Sequence, residues 1–274
     1  MPEPSLEVHQ LAHTFHRGTP YETTALQGVD LTLEPGAFVV VLGSNGSGKS
    51  TLLNAIAGSL QTESGTIRVD GTDVTKWPAH RRARLIARVF QDPFVGTASD
   101  MTVLENLAIA STRGLRRGLG RPLASTRRAE LRDAVSRLGL GLEERLDTPM
   151  GMLSGGQRQA LTLLMAMLVR PSLLLLDEHT AALDPRSAEL LLRLTQSFVA
   201  AEGLTTLMVT HSLPQAVRLG NRILVMHRGE VAYDLTGAQK RRARVEDLLA
   251  RFEELRRSDM LDADAAALLR RSYA

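Results

Sequence analysis

The stretch Phe38-Val-Val-Val-Leu42-Gly43-Ser44-Asn45-Gly46-Ser47-Gly48-Lys49-Ser50-Thr51-Leu52-Leu53 decides the fold of this chain. Its first five residues form an unbroken apolar run, the pattern of a strand buried on both faces. Leu52, Leu53, Ile56, Ala57 and Leu60 then recur at the spacing of an amphipathic helix. Between strand and helix, Gly43 to Ser50 fits G-x-x-x-x-G-K-[ST]. Glycines at these places admit backbone angles that let successive N–H groups converge on one anion. The following helix adds its partial positive N-terminus. The expected ligand is therefore a chain of phosphates held by residues 43–51. Lys49 would bridge the β- and γ-phosphates, and the Ser50 hydroxyl would offer a hard oxygen to Mg2+.

Outward from this loop the pattern repeats. Val29, Leu31 and Leu33 alternate with polar residues as a half-buried strand does, and Pro35-Gly36 marks a turn. Thr66 to Val69 followed by Asp70-Gly71 reads as a hairpin. Residues 85–90, 172–176, 205–209 and 223–226 read as further apolar strands, the last followed by a hairpin at Arg228-Gly229. Residues from about 92 to 165 read as mostly helical, with loops around 95–100 and 113–126. Val245, Leu248, Leu249, Phe252 and Leu255 place a helical tail beyond residue 243. Apolar strands alternating with helices predict an α/β chain with a parallel sheet covered on both faces. Ligands in such sheets lie beyond the carboxyl ends of the strands. Gly43, Gln91, Asp177 and His211 all fall there.

Leu173 to Leu176 runs into Asp177-Glu178. Beside a phosphate loop, Asp177 is placed to hold the magnesium and Glu178 to take a proton from an attacking water. Gln91 is placed to reach the metal or that water, and His211 to contact the γ-phosphate. On its own, a glutamine or histidine at such a place is more often structural, and only the wider pattern of motifs gives Gln91 and His211 these roles.

Composition narrows the alternatives. The 274 residues are 43% hydrophobic and 23% charged, ordinary for a globular chain. No stretch reaches the roughly 18–20 apolar residues that cross a bilayer, and the most apolar run, 161–176, is interrupted by Arg170 and Pro171. Met1-Pro-Glu-Pro lacks the basic start of an export signal, which favours a cytosolic chain. With no cysteine there is no disulfide, thiolate metal site or thiol nucleophile. The net charge of +3 and 4% aromatic content argue against a nucleic-acid binder. The main basic stretch, 113–128, reads either as a solvated loop or as a contact with a partner or anionic lipid.

Leu153-Ser154-Gly155-Gly156-Gln157, taken with the phosphate loop, Gln91, Asp177-Glu178, Ala182-Leu183-Asp184 and His211, resembles the ATP-binding cassette family in order and spacing over residues 5–235. The resemblance implies a P-loop NTPase cassette with a mixed or parallel sheet core. It also implies an N-terminal antiparallel β-subdomain and an inserted α-helical subdomain at about 92–165. Residues 1–242 would be the cassette and 243–274 a C-terminal helical tail. Met101-Thr-Val-Leu-Glu-Asn-Leu107 is typical of the helical subdomain that docks on a membrane partner. Ser154, Gly155, Gly156 and Gln157 offer a hydroxyl, bare N–H groups and a helix N-terminus, a second phosphate site. By the resemblance that site serves ATP on a second copy, so the dimer holds two ATP molecules between its subunits. Phe15 lies where the family stacks an aromatic on adenine, with Tyr21 as a rival and a core role as the alternative.

Asp177-Glu-His-Thr-Ala-Ala-Leu-Asp184 and the residues after Gly155 are similar to a subgroup of uptake ATPases, which imply membrane permease subunits, an extracytoplasmic binding protein and amino-acid-like cargo. The chain would then sit peripherally on the cytoplasmic face of the inner membrane. Most of the family has proline where this chain has His179. An exporter ATPase and a cassette acting on nucleic acid or ribosomes are the alternatives. The last class usually carries two cassettes or a long coiled-coil insertion, and this chain has neither.

Overall fold

The computed structural model describes residues 3–114 and 125–272, with side chains described through 114 and from 126 to 259. Two sheets carry the architecture. The first is antiparallel and lies in the N-terminal part. It joins β1 (Leu6–Phe15), β2 (Thr23–Leu33), β4 (Ser64–Val69) and β5 (Thr72–Asp73) in the order β2-β1-β4-β5. The second joins β3 (Phe38–Gly43), β6 (Ile86–Val89), β7 (Leu173–Asp177), β8 (Thr205–Val209), β9 (Arg222–His227) and β10 (Glu230–Thr236) in the order β10-β9-β3-β8-β7-β6. All its pairings are parallel except β9 with β10.

The apolar strands do what their composition requires. Val40 and Leu42 enter one core cluster while Val39 and Val41 enter another. Leu174 and Leu176 divide from Leu173 and Leu175 in the same way. Side chains alternate across a strand, so a run with no polar member must bury both faces. One face packs on α1 (Lys49–Ala57) and the antiparallel sheet. The other packs on α3 (Val103–Ala110), α4 (Ser125–Ser136), α5 (Gly155–Met167) and α6 (Pro185–Glu202).

The insertion is less helical than the sequence suggests. Between α4 and α5 the chain runs through turns and two single 3-10 turns at Leu142–Glu144 and Met150–Met152. Most of the basic stretch 113–128 lies outside the described residues. Arg127 and Arg128, expected in a loop, sit in α4, and Arg128 pairs with Asp147.

The tail is one helix, α9 (Val245–Ser272), reached through α7 (Leu213–Arg218) and α8 (Gly237–Arg242). Leu248 is fully buried, and Phe252 and Leu255 pack on the same core as the sheet, so the described part of the tail is built onto the cassette.

The helix behind the phosphate loop is anchored from below by Arg82, at the end of α2 (Ala79–Arg82). Its buried guanidinium donates to the carbonyls of Ala55 (2.6 Å), Ile56 (2.8 Å), Thr75 (2.9 Å) and Trp77 (2.9 Å). The first two are carbonyls of the last turn of α1, where Ala55 also accepts from the Gly58 N–H at 3.2 Å, and a cation suits that end of the helix dipole.

Candidate active site at the strand ends

Every strand that ends at the site brings its next residue with it. Gly43 closes β3, and a Cβ there would lie 2.3 Å from Ser47 Oγ and 2.5 Å from the Met226 carbonyl. Gly48 stands at the N-cap of α1 with φ of 100°. A Cβ on it would be 2.5 Å from the Ala25 carbonyl. Both positions therefore demand glycine for want of space, and Gly48 also for its backbone angle.

Gly48 has no side chain to cap α1, whereas Thr102, Ser154, Asp184 and Ser212 cap α3, α5, α6 and α7. No acidic residue stands in the first turn of α1. The N–H groups of a helix start need acceptors, and here no capping side chain meets them. This cradle fits a phosphate chain. Ser44, Asn45, Gly46 and Ser50 are exposed around it, while Lys49 is buried.

Lys49 Nζ donates to the carbonyls of Gly43 (2.9 Å) and Ser44 (2.8 Å), so the ammonium stays at the mouth of the loop. Burial pushes its pKa down, and the charges of Glu178 and Asp177 oppose that shift. Both carboxylates therefore act on Lys49.

Asp177 is the last residue of β7, paired in register with Val209 of β8. Glu178 then turns out of the sheet with φ of 45°, donating its N–H to the Val209 carbonyl at 3.0 Å. A left-handed backbone is strained for a glutamate, and such strain gathers at functional sites. It points Glu178 at His211, just beyond β8, with Nε2 to Oε1 at 2.6 Å. His211 is half exposed, and Glu178 is mostly covered. A carboxylate beside an imidazole can accept a proton while the ring holds its position, which is the geometry of general-base catalysis.

Arg88 is the partner the sequence did not reveal. Its Nη2 meets Asp177 Oδ2 at 2.5 Å, and its Nη1 donates to Asn54 Oδ1 at 2.7 Å. Gln91, expected at the end of its strand, lies two residues past β6, exposed and without a hydrogen bond to Lys49, Asp177 or Glu178. The Ser50 hydroxyl, the Asp177 carboxylate and the Gln91 amide are all hard oxygen donors of the kind Mg2+ takes. Among the described residues no group of three or more His, Cys, Asp or Glu side chains could hold a metal. A cation at this site would therefore depend on phosphate oxygens for the rest of its shell.

The Ser154 to Gln157 element, the expected second phosphate site, is more closed than the sequence suggests. Ser154 Oγ accepts from the Gln157 N–H at 3.3 Å, and Gln157 Oε1 accepts from the Ser154 N–H at 3.2 Å, a capping box. The N–H groups of Gly155 and Gly156 have no capping side chain, and Ser154 is exposed. Gly156 also has a packing reason that the motif hides: a Cβ on it would lie 2.7 Å from Ser187 Oγ of α6. Asp184 caps that same helix, accepting from the N–H groups of Arg186 and Ser187. Gln159 ties α5 to the segments that follow β6 and β7, donating to the carbonyls of Phe90 (2.7 Å) and His179 (2.9 Å).

Phe15 is not a core residue. It is 37% exposed at the end of β1, with its ring edge-on to His13, and Tyr21 is 80% exposed. His179 is fully buried and bonds Thr195 of α6 through Nε2 at 3.1 Å, so it fastens the loop after Glu178 to that helix.

The family described as ABC transporter matches residues 26–181. The tyrosine transport ATP-binding protein of Clostridioides difficile (strain R20291) is 40% identical over 248 residues, covering 90% of this chain and 98% of that protein. Lipoprotein-releasing system ATP-binding protein LolD 1 of Caulobacter vibrioides is 36% identical over 80% of this chain and 91% of its own length. Among solved structures, the dimeric post-hydrolysis state of the ATP-binding cassette MJ0796 bound to ADP and Pi superposes with a TM-score of 0.72 at 27% identity. That match covers 84% of this chain and 97% of that one.

Proposed function

The chain belongs to the ABC transporter family as an ATP-binding subunit and ATPase, and from that premise we propose that it powers import of a small, amino-acid-like solute through separate membrane permeases. The observation that carries the hydrolytic half is the Glu178–His211 contact of 2.6 Å beside buried Lys49. In this reading the N–H groups of residues 43–51 and the Lys49 ammonium bind the phosphates of ATP. Ser50, Asp177 and Gln91 would hold Mg2+, which would neutralise charge on the phosphates. Glu178 takes the proton from the attacking water, and His211 orients Glu178 and contacts the γ-phosphate. Phe15 stacks on adenine. Ser154, Gly155, Gly156 and Gln157 complete the site of a second copy, so ATP binds the closed dimer better than the open one and drives closure. Residues 1–242 act as the cassette and the rest as its helical tail.

Permease docking has a surface to use. A cleft of about 660 Å3 between the parallel sheet and the helical insertion is lined by Ala57, Ile86, Phe90, Thr97, Ile109 and Met165. Among the described residues no helix is long and apolar enough to cross a membrane. The chain in this reading therefore works peripherally, on the cytoplasmic face.

The amino-acid reading rests on likeness to a tyrosine transport protein over nearly its whole length. The releasing-system relative supports export as the second reading, over a shorter span and at lower identity. Glu178→Gln tests the mechanism: with ATP it should form a stable dimer in light scattering while turnover falls at least ~100-fold. Rapid turnover by that variant would remove Glu178 as the base. Uptake of labelled amino acids by the assembled transporter in proteoliposomes, with its binding protein on the outer side, decides direction and cargo.

A further inference from the structure

Two acids and two bases meet at the cation end of this site. The charges of Asp177 and Glu178 both act on Lys49, Asp177 pairs with Arg88, and Glu178 contacts His211. Arg88 lies on β6, and both members of its ion pair with Asp177 are largely covered, at 11% and 15% exposure. Its guanidinium also grips Asn54 of α1 and stacks on the Phe90 ring with the carbon centre 4.7 Å from the centroid. Asn54 stands one helical turn after Ser50, on the same face of α1. One rigid fork thus links the helix that carries the Ser50 hydroxyl to the carboxylate at the end of β7.

Charge gives this arrangement a consequence. Asp177 and Glu178 without Arg88 would leave one net negative charge against Lys49, enough to attract a divalent cation into a partly covered cleft. With Arg88 the four groups balance. We propose that Arg88 is a positioning residue that keeps Asp177 oriented but electrostatically spent, so that the carboxylates do not capture a divalent cation alone and the cation enters only with the phosphates. The inference rests on the nucleotide–magnesium reading above. It assigns to Arg88 a specificity role that no direct contact with substrate requires.

The test uses the full-length chain and Mn2+ alone, counted by the loss of its free-ion electron paramagnetic resonance signal without nucleotide. Arg88→Gln, which offers an amide donor in place of the guanidinium but no charge, should bind Mn2+ at least about tenfold more tightly than wild type. Arg88→Lys should stay near wild type. Arg88→Met is a second neutral variant of similar length, and it carries the test if thermal melting shows the glutamine variant poorly folded. Adding Asp177→Asn to either neutral variant should abolish the gain. Equal Mn2+ affinity in wild type and the neutral variants, or a gain that survives Asp177→Asn, overturns the proposal. A separate titration with the fluorescent nucleotide mant-ADP and Mg2+ checks the underlying site. If wild type shows no Mg2+-dependent nucleotide binding, it is the nucleotide reading that fails.

Discussion

His179 makes a specific prediction about acid. It is fully buried against α6, bonded to Thr195 through Nε2, while its Nδ1 has no partner. Burial pushes its pKa down from 6.5 to about 4. The folded ring is therefore neutral well below the pH at which the unfolded ring takes a proton. Above pH ~6.5 both states are neutral and the chain has its full stability. As pH falls from there towards ~4, only the unfolded state gains the proton, and stability drops by about 1.4 kcal/mol per pH unit. The total approaches ~3 kcal/mol, a large share of the 5–15 kcal/mol typical of a folded protein. His179→Asn keeps a short amide near Thr195 and cannot titrate. Urea unfolding of both proteins at pH 8, 6, 5 and 4.5 isolates the effect, because the carboxylates that also weaken in acid are common to both. The wild type should lose about 2–3 kcal/mol more than the variant across that range. Parallel pH curves would refute the buried, neutral histidine.

Three further outcomes follow from the geometry. Arg82→Leu removes the donors to the carbonyls of Ala55, Ile56, Thr75 and Trp77, of which Ala55 keeps the Gly58 N–H; it should cost about 3 kcal/mol in chemical denaturation, with Arg82→Lys recovering only part. Gly156→Ala drives a methyl onto Ser187; its melting temperature should fall, and Ser187→Gly in the same chain should restore most of the loss. Lys49→Ala should weaken nucleotide binding itself, measured by mant-ATP titration, with little change in melting temperature without nucleotide.

Much of the fold was legible because apolar runs and strand-end residues are local signals. The strands β3, β7, β8 and β9 are short apolar blocks, and the Asp70-Gly71 turn has both residues at positive φ, as its sequence implies. The strand β1 carries no such signal, although it lies inside the antiparallel sheet. Its pairing with β2 shifts register between Val8 and Leu11 and twice more before Phe15, with Gln10 at φ of 47°. Bulges break the period of two that reveals a strand. The insertion looks more helical in sequence than it is because its 3-10 turns and loops carry scattered leucines that mimic a helical stripe.

The phosphate loop, the two acids at the end of β7 and the Ser154 element were determined by sequence alone. Each lies within a few residues, where backbone freedom, helix polarity and side-chain chemistry act locally. Only the tertiary structure decided which charges meet. Arg88 and Asp177 are 89 positions apart, Arg82 and Ala55 are 27 apart, and neither pair has any local signature. The parallel register of β7 on β8 sets Glu178 beside His211, and that of β6 on β7 sets Arg88 close to Asp177. Sheet register is a property of the packed core, and it turned separate strand ends into one balanced site.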